Sequence, residues 1–79
     1  MKSEVLTNYL VEMAYLEPDE IRGDTPLFSS GIIDSVTLME LVAWVESEAQ
    51  IKVSPGQLTL ENWDTVDRII SFLHRLGSS

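Results

Sequence analysis

Three stretches of the chain carry apolar residues at three- and four-residue spacing, and the intervals between them hold most of the glycines and prolines. In the first stretch, Val5, Leu6, Tyr9, Leu10, Met13 and Leu16 form one stripe, which predicts a helix from Ser3 to Leu16. Ser3 is the expected N-cap, and Pro18 bars further extension. The second stretch predicts a helix from Ser35 to about Ala49, capped by Asp34. At about 100° per residue, Leu38, Leu41, Val42, Val45 and Ala49 share one side. Val36, Met39 and Ala43 share the opposite side, among Glu40, Glu46 and Ser47. Trp44 falls between the two, with the core as its expected home. The third stretch, Val66, Ile69, Ile70, Leu73 and Leu76, predicts a last helix capped by Asp64 or Thr65 and stopped at Gly77.

The intervals read differently. From Glu17 to Ile33 no period holds, and Gly23, Pro26, Ser29-Ser30 and Gly31 punctuate the segment. Ile21, Leu27, Phe28 and Ile32 can pin it to a core, so an ordered loop is expected rather than a slack one. Ile51-Lys52-Val53 has strand character, but Ser54-Pro55-Gly56 ends it and no second strand is available to pair, so it reads as loop. Leu58 to Trp63 predicts a short helical turn holding Leu58, Leu60 and Trp63 inward. The fold class is therefore all-α: a small bundle of three longer helices plus one short helix, with a long ordered loop between the first two, forming a single domain over residues 1–79.

Composition narrows the function classes. The chain has 79 residues, 44% of them hydrophobic, and no cysteine, so helix packing alone must hold it together, without disulfide or thiolate-metal staples. No apolar run approaches the roughly 20 residues that span a bilayer, and Met1-Lys2-Ser3-Glu4 does not open a signal peptide. A cytoplasmic protein is expected. Thirteen acidic residues against five basic give a formal charge of −8, which disfavours nucleic acid and anionic membranes and favours basic protein surfaces. Between Asp34 and Gln50 the acidic residues Asp34, Glu40, Glu46 and Glu48 stand without any lysine or arginine.

The most informative segment is Gly31-Ile32-Ile33-Asp34-Ser35-Val36, which places a serine hydroxyl at a loop–helix junction. With Thr25-Pro26-Leu27-Phe28 before it and Thr37-Leu38-Met39-Glu40-Leu41-Val42 after it, the segment resembles the attachment site of the acyl and peptidyl carrier proteins. Ile51-Lys52-Val53-Ser54-Pro55 and Leu58-Thr59-Leu60-Glu61-Asn62-Trp63-Asp64-Thr65-Val66 resemble the family's third-helix region and the start of its fourth. The resemblance spans Thr25 to Leu76, and the first helix fits by pattern alone. Within the family the likeness is nearest to free-standing aminoacyl and D-alanyl carriers, on Gly31-Ile32-Ile33 and Glu61-Asn62-Trp63-Asp64. Many fatty-acid carriers have leucine and then an acidic residue after the serine. Here Val36 and Thr37 stand instead, which points away from bulk fatty-acid synthesis and towards a specialised pathway, of secondary metabolism or of the cell envelope.

The resemblance implies that Ser35 carries a covalent 4′-phosphopantetheine, with Asp34 supporting it by completing the metal coordination of the transferase site. A helix N-terminus also tolerates the resulting phosphodiester. The implied function is a carrier that holds an acyl or aminoacyl group as a thioester between an adenylating loading ligase and a downstream acyltransferase or synthase. It acts as a monomer and as a substrate of partner enzymes rather than as an enzyme. Val36, Met39 and Ala43, with Glu40 and Glu46, form the expected partner surface: a flexible methionine among aliphatic groups, ringed by carboxylates that steer basic patches. The cargo is expected in solvent rather than inside so small a core.

Other chemistry is poorly supported. His74 is the only histidine, far along the chain from Ser35, and nothing marks that serine as base-activated. Glu17, Asp19, Glu20 and Asp24 do not match the roughly twelve-residue calcium loop, which needs glycine sixth and glutamate last. The alternative to a carrier is an acidic helical adaptor or regulator that binds a basic partner without a prosthetic group.

Overall fold

The computed structural model describes residues 1–77; the last two residues of the expected span 1–79 lie outside the described residues. The chain folds into four helices: α1, Ser3–Met13; α2, Ser35–Ala49; α3, Leu60–Trp63; and α4, Val66–Arg75. Two single 3-10 turns, Pro18–Glu20 and Pro55–Gln57, lie in the connections. Strands are absent among the described residues. The all-α bundle expected from the pattern is the observed architecture, and Ile51–Val53 is loop.

The core is built from one stripe of each long helix. Leu6 and Leu10 of α1, Leu41, Val42 and Val45 of α2, and Val66, Ile69, Phe72 and Leu73 of α4 are buried together with Trp63. Trp63 and Phe72 meet with ring centroids 5.7 Å apart at 55°, a tilted pair that fits the quadrupole preference of aromatic rings. The indole N–H of Trp63 donates to the Gln57 carbonyl at 3.0 Å, so its polar end is satisfied as its rings are buried. Trp44 is half-buried at the core rim, stacked on Tyr9 of α1 with centroids 3.9 Å apart and planes 8° from parallel.

Several expectations at the element ends are corrected. Lys2, not Ser3, is the N-cap of α1, and Ser3 is its first helical residue. The helix ends at Met13 rather than Leu16, because Tyr15 turns into the left-handed region with φ 56°. Leu16 N–H then reaches back to the Val11 carbonyl at 2.9 Å, closing the helix end in the manner of a Schellman motif. The end of α2 repeats this device: Gln50 has φ 54°, and Ile51 N–H donates to the Glu46 carbonyl at 3.1 Å. Neither site carries the glycine that would have announced it. Two stripe residues, Val5 and Leu76, face out, and so, at 54% exposure, does Leu60, expected inward from the short helical turn. Phe72, outside the expected stripe, faces in.

The segment between α1 and α2 is ordered by burial and by backbone hydrogen bonds. Ile21, Leu27 and Ile33 are buried, while Phe28 and Ile32 pack half-buried against the same core. The Gly23 carbonyl accepts the Asp67 N–H at 3.0 Å, satisfying a donor in the first turn of α4 that no helix carbonyl can reach. A side chain at Gly23 would collide with the Asp67 carboxylate. Thr65, one of the two expected caps, closes α4 by accepting from Arg68 N–H at 3.0 Å.

Tyr15 is 95% exposed, so its side chain contributes little packing while its backbone bears the left-handed penalty. Tyr15→Gly is expected to raise stability by about 0.5–1 kcal/mol, seen as a Tm several degrees higher in thermal melts followed by circular dichroism.

Candidate functional site

Ser35 is the first residue of α2 and is exposed. Its position follows from two local causes. Asp34 is extended at φ −98°, ψ −177°, and its carboxylate accepts from Thr37 N–H at 2.8 Å, which starts the helix. Upstream, Gly31 adopts φ 85°, a left-handed conformation favoured by glycine, and turns the chain into the helix. The Asp34 carboxylate is held below the usual range, chiefly by the Thr37 N–H and further by its hydroxyl. Asp34 is thus ionised at neutral pH and its capping role is secure.

The loop that delivers Ser35 is tied to the junction of α3 and α4. Leu27 N–H donates to the Asp64 backbone carbonyl at 2.6 Å, and Ile33 N–H donates to the Leu27 carbonyl at 2.9 Å. One carboxylate oxygen of Asp64 accepts from Phe28 N–H at 2.9 Å and Ser29 N–H at 3.1 Å. The other accepts from the Ser29 hydroxyl at 2.8 Å. Ser30 donates its hydroxyl to the Pro26 carbonyl, tightening the same turn. Asp64, the other expected cap of α4, therefore does not cap that helix: its backbone closes the end of α3, and its side chain fastens the loop. Its side chain is 7% exposed. Burial alone would raise its pKa, but the Ser29 N–H and hydroxyl, the Phe28 N–H and the Arg68 charge outweigh that and lower it. Reading local spacing could not reveal this role, because the partners lie about 35 residues away.

The expected partner residues share α2 as laid out. Val36 and Met39 are 69% and 57% exposed, and Ala43 and Glu40 are also exposed. Glu40 lies close enough to Tyr9 that its charge, after burial, raises the tyrosine pKa. Glu46 differs from the others. It is half-buried, and one carboxylate oxygen accepts from Val53 N–H at 2.8 Å, holding the loop after α2. His74 is exposed on α4 and lines a shallow groove with Met1, Lys2, Ser3, Glu4 and Ile70, which includes no residue of α2. Among the described residues no cluster of acidic or histidine side chains could hold a metal ion. No described helix is long and apolar enough to cross a membrane.

The small bundle thus presents an exposed serine at the start of an acidic, amphipathic helix. The chain belongs to the family described as "Phosphopantetheine attachment site", whose model matches residues 4–73. It is 32% identical over 62 residues to a D-alanyl carrier protein of Streptococcus suis (strain 05ZYH33), covering 78% of each chain. Over 67 residues it is 31% identical to a D-alanyl carrier protein of Streptococcus equi subsp. zooepidemicus (strain MGCS10565), covering 85% of each. Membership decides between carrier and cofactor-free adaptor in favour of the carrier, a substrate of partner enzymes rather than a catalyst. The family's prosthetic group is a 4′-phosphopantetheine joined covalently to a serine. The first turn of α2 suits such a group: it offers an exposed hydroxyl and a helix N-terminus whose leading N–H groups favour a phosphodiester.

Asp64 supplies a direct test of the loop anchor. Because its folded pKa lies below the unfolded value of about 3.9, the stability it contributes is present above that pH and fades as pH falls through the folded pKa. Asp64→Asn is expected to be less stable than the parent by about 1–2 kcal/mol at pH 7. The gap should narrow in urea titrations as pH falls below that unfolded value. A gap independent of pH would show that the charge is not what the loop binds.

Proposed function

We propose that Ser35 bears the 4′-phosphopantetheine and that the chain is a free-standing acyl or aminoacyl carrier in a specialised biosynthetic pathway, of secondary metabolism or of the cell envelope. The observation that carries this reading is the exposed Ser35 hydroxyl at the start of α2, directly after the capping Asp34 and inside the matched span. The D-alanyl carriers among its relatives support a small aminoacyl cargo loaded by an adenylating ligase. A phosphopantetheinyl transferase installs the arm, and a downstream acyltransferase or synthase collects the cargo. The use of coenzyme A and ATP in these steps supports loading in the cytoplasm. The carrier acts there as a monomer.

The thiol ending the arm supplies the nucleophile that holds an acyl group as a thioester. Ser35 supplies the hydroxyl that takes phosphopantetheine from the pyrophosphate of coenzyme A, with the nucleotide half leaving. Asp34 keeps the first turn wound through Thr37 and presents a carboxylate beside the reacting hydroxyl for the metal ion of the transferase. Val36, Met39 and Ala43 provide a soft apolar strip for successive partners, and Glu40 steers basic surfaces towards it. Glu46 adds charge to the same field while its carboxylate holds the Val53 backbone. Tethering raises the effective concentration of the cargo at each partner in turn.

Incubating the apo protein with coenzyme A, magnesium and a broad-specificity phosphopantetheinyl transferase should add one phosphopantetheine by intact mass. Ser35→Ala should gain none while its stability stays within about 0.5 kcal/mol of the parent. A modified Ser35→Ala, or an unmodified folded parent, would refute the assignment.

The partner surface has its own readout. Met39→Ala and Glu40→Lys should each raise the KM of the loading ligase for the carrier by about three- to tenfold. Neither should shift the melting curve by more than about 0.5 kcal/mol. The Glu40→Lys effect should shrink as salt is raised; equal KM values for parent and both variants would place docking elsewhere.

A further inference from the structure

We propose that Asp64 is a positioning residue for the modification of Ser35, holding residues 27–33 in the arrangement that presents the serine hydroxyl to the transferase. This rests on Ser35 being the attachment residue, and it concerns a side chain at the α3–α4 junction, outside the partner strip of α2.

The first observation is that the Asp64 carboxylate is not needed as a helix cap. Thr65 alone caps α4, accepting from Arg68 N–H, so the helix would start without the neighbouring carboxylate. Burying a carboxylate is costly unless it is well hydrogen-bonded, and every hydrogen bond the Asp64 carboxylate makes goes to the loop. Its backbone joins the same junction through the Leu27 N–H.

The second observation is the short path from this junction to the reacting hydroxyl. Asp64 holds Leu27, Phe28 and Ser29, and the Leu27 carbonyl in turn holds Ile33 N–H at 2.9 Å. Ile33 is buried and is followed at once by Asp34 and Ser35. From the Asp64 carboxylate the path to Ser35 is two hydrogen bonds, at Phe28 N–H and Ile33 N–H, and three peptide bonds, Phe28–Leu27, Ile33–Asp34 and Asp34–Ser35. Burial of Leu27 and Ile33 fixes how deep the loop sits, but hydrophobic contact is non-directional. The direction in which the chain leaves Ile33 is set by the hydrogen bonds, whose geometry is narrow. Without the carboxylate, the loop keeps its apolar anchors and its backbone bonds at Leu27 and Ile33, and loses the three bonds that orient Phe28 and Ser29.

A loop that samples several orientations binds the transferase only through the competent fraction. The apparent affinity then falls by that fraction, while turnover of the bound complex is preserved. Steady-state phosphopantetheinyl transfer to the full apo chain, at a temperature where melts show every variant folded, separates these quantities. Asp64→Ala should raise the KM for the carrier by about tenfold with kcat unchanged. Asp64→Asn keeps an acceptor oxygen for the Phe28 and Ser29 N–H groups and should return KM to within about twofold of the parent. Ser29→Ala removes only the hydroxyl bond and should raise KM by about two- to threefold.

Amide hydrogen exchange on the unmodified protein is the second readout. Exchange at Phe28, Ser29 and Ile33 should accelerate in Asp64→Ala while the amides of α1 and α4 keep parental protection. A folded Asp64→Ala with parental KM and parental exchange at residues 28–33 overturns the proposal. If Asp64→Ala does not fold, Ser29→Ala decides by the same two criteria. Failure of the attachment reading looks different: the parent gains no phosphopantetheine, or Ser35→Ala gains one, whatever the exchange data show.

Discussion

The structure depends on the fastening of the long loop to the α3–α4 junction, where Asp64 receives Leu27 through its carbonyl and Phe28 and Ser29 through its carboxylate. Ordering the segment from Glu17 to Ile33 costs about 1–2 kcal/mol per residue in backbone entropy. Three backbone turn bonds, at Glu20, Thr25 and Gly31, three buried aliphatic residues and this one buried carboxylate offset that cost. The carboxylate differs in kind from the rest because it specifies orientation as well as position. Everything that follows in the chain, from Ile33 through the cap at Asp34 to the exposed Ser35, starts from the geometry set there.

Around that constraint α2 separates its tasks by face. Leu41, Val42 and Val45 turn inward and give the helix a rigid seat, while Val36, Met39 and Ala43 remain outside. Apolar side chains left in water are usual when scattered. Here they lie in one strip on a helix whose charged residues are all acidic. Such a surface suits contact that must be fast, weak and repeated with different enzymes. The Tyr9–Trp44 stack closes the rim between α1 and α2 beside Glu40, so the strip borders a stiff aromatic edge.

Much of the fold could be read along the chain because helix periodicity and capping are local. The bounds of α2, its cap at Asp34 and its inward face follow from residues three and four apart. The misreadings have equally local causes. Helix α1 was expected to reach Leu16, since a left-handed tyrosine carries no compositional mark, whereas glycine at position 15 would have shown the stop. Leu60 faces out against expectation because four residues of α3 define no face of their own, and Phe72, outside the expected stripe, is buried against Trp63. Glu46 looked like a free carboxylate on the outer face, and only the fold brings Val53 N–H to it.

The sequence by itself determined the all-α class, the exposed serine after a capping aspartate, the acidic outer face of α2 and the resemblance to carrier proteins. Each of these is a property of residues within one or two helical turns of each other, or of an ordered set of motifs. Tertiary structure alone decided which of Asp64 and Thr65 caps α4, what a buried carboxylate does at that junction, and how the loop before Ser35 is aimed. The physical reason is range. A cap is chosen by the chain's own next turn, but a buried carboxylate takes whatever donors the fold brings within about 3 Å of it, and those donors lie about 35 residues upstream.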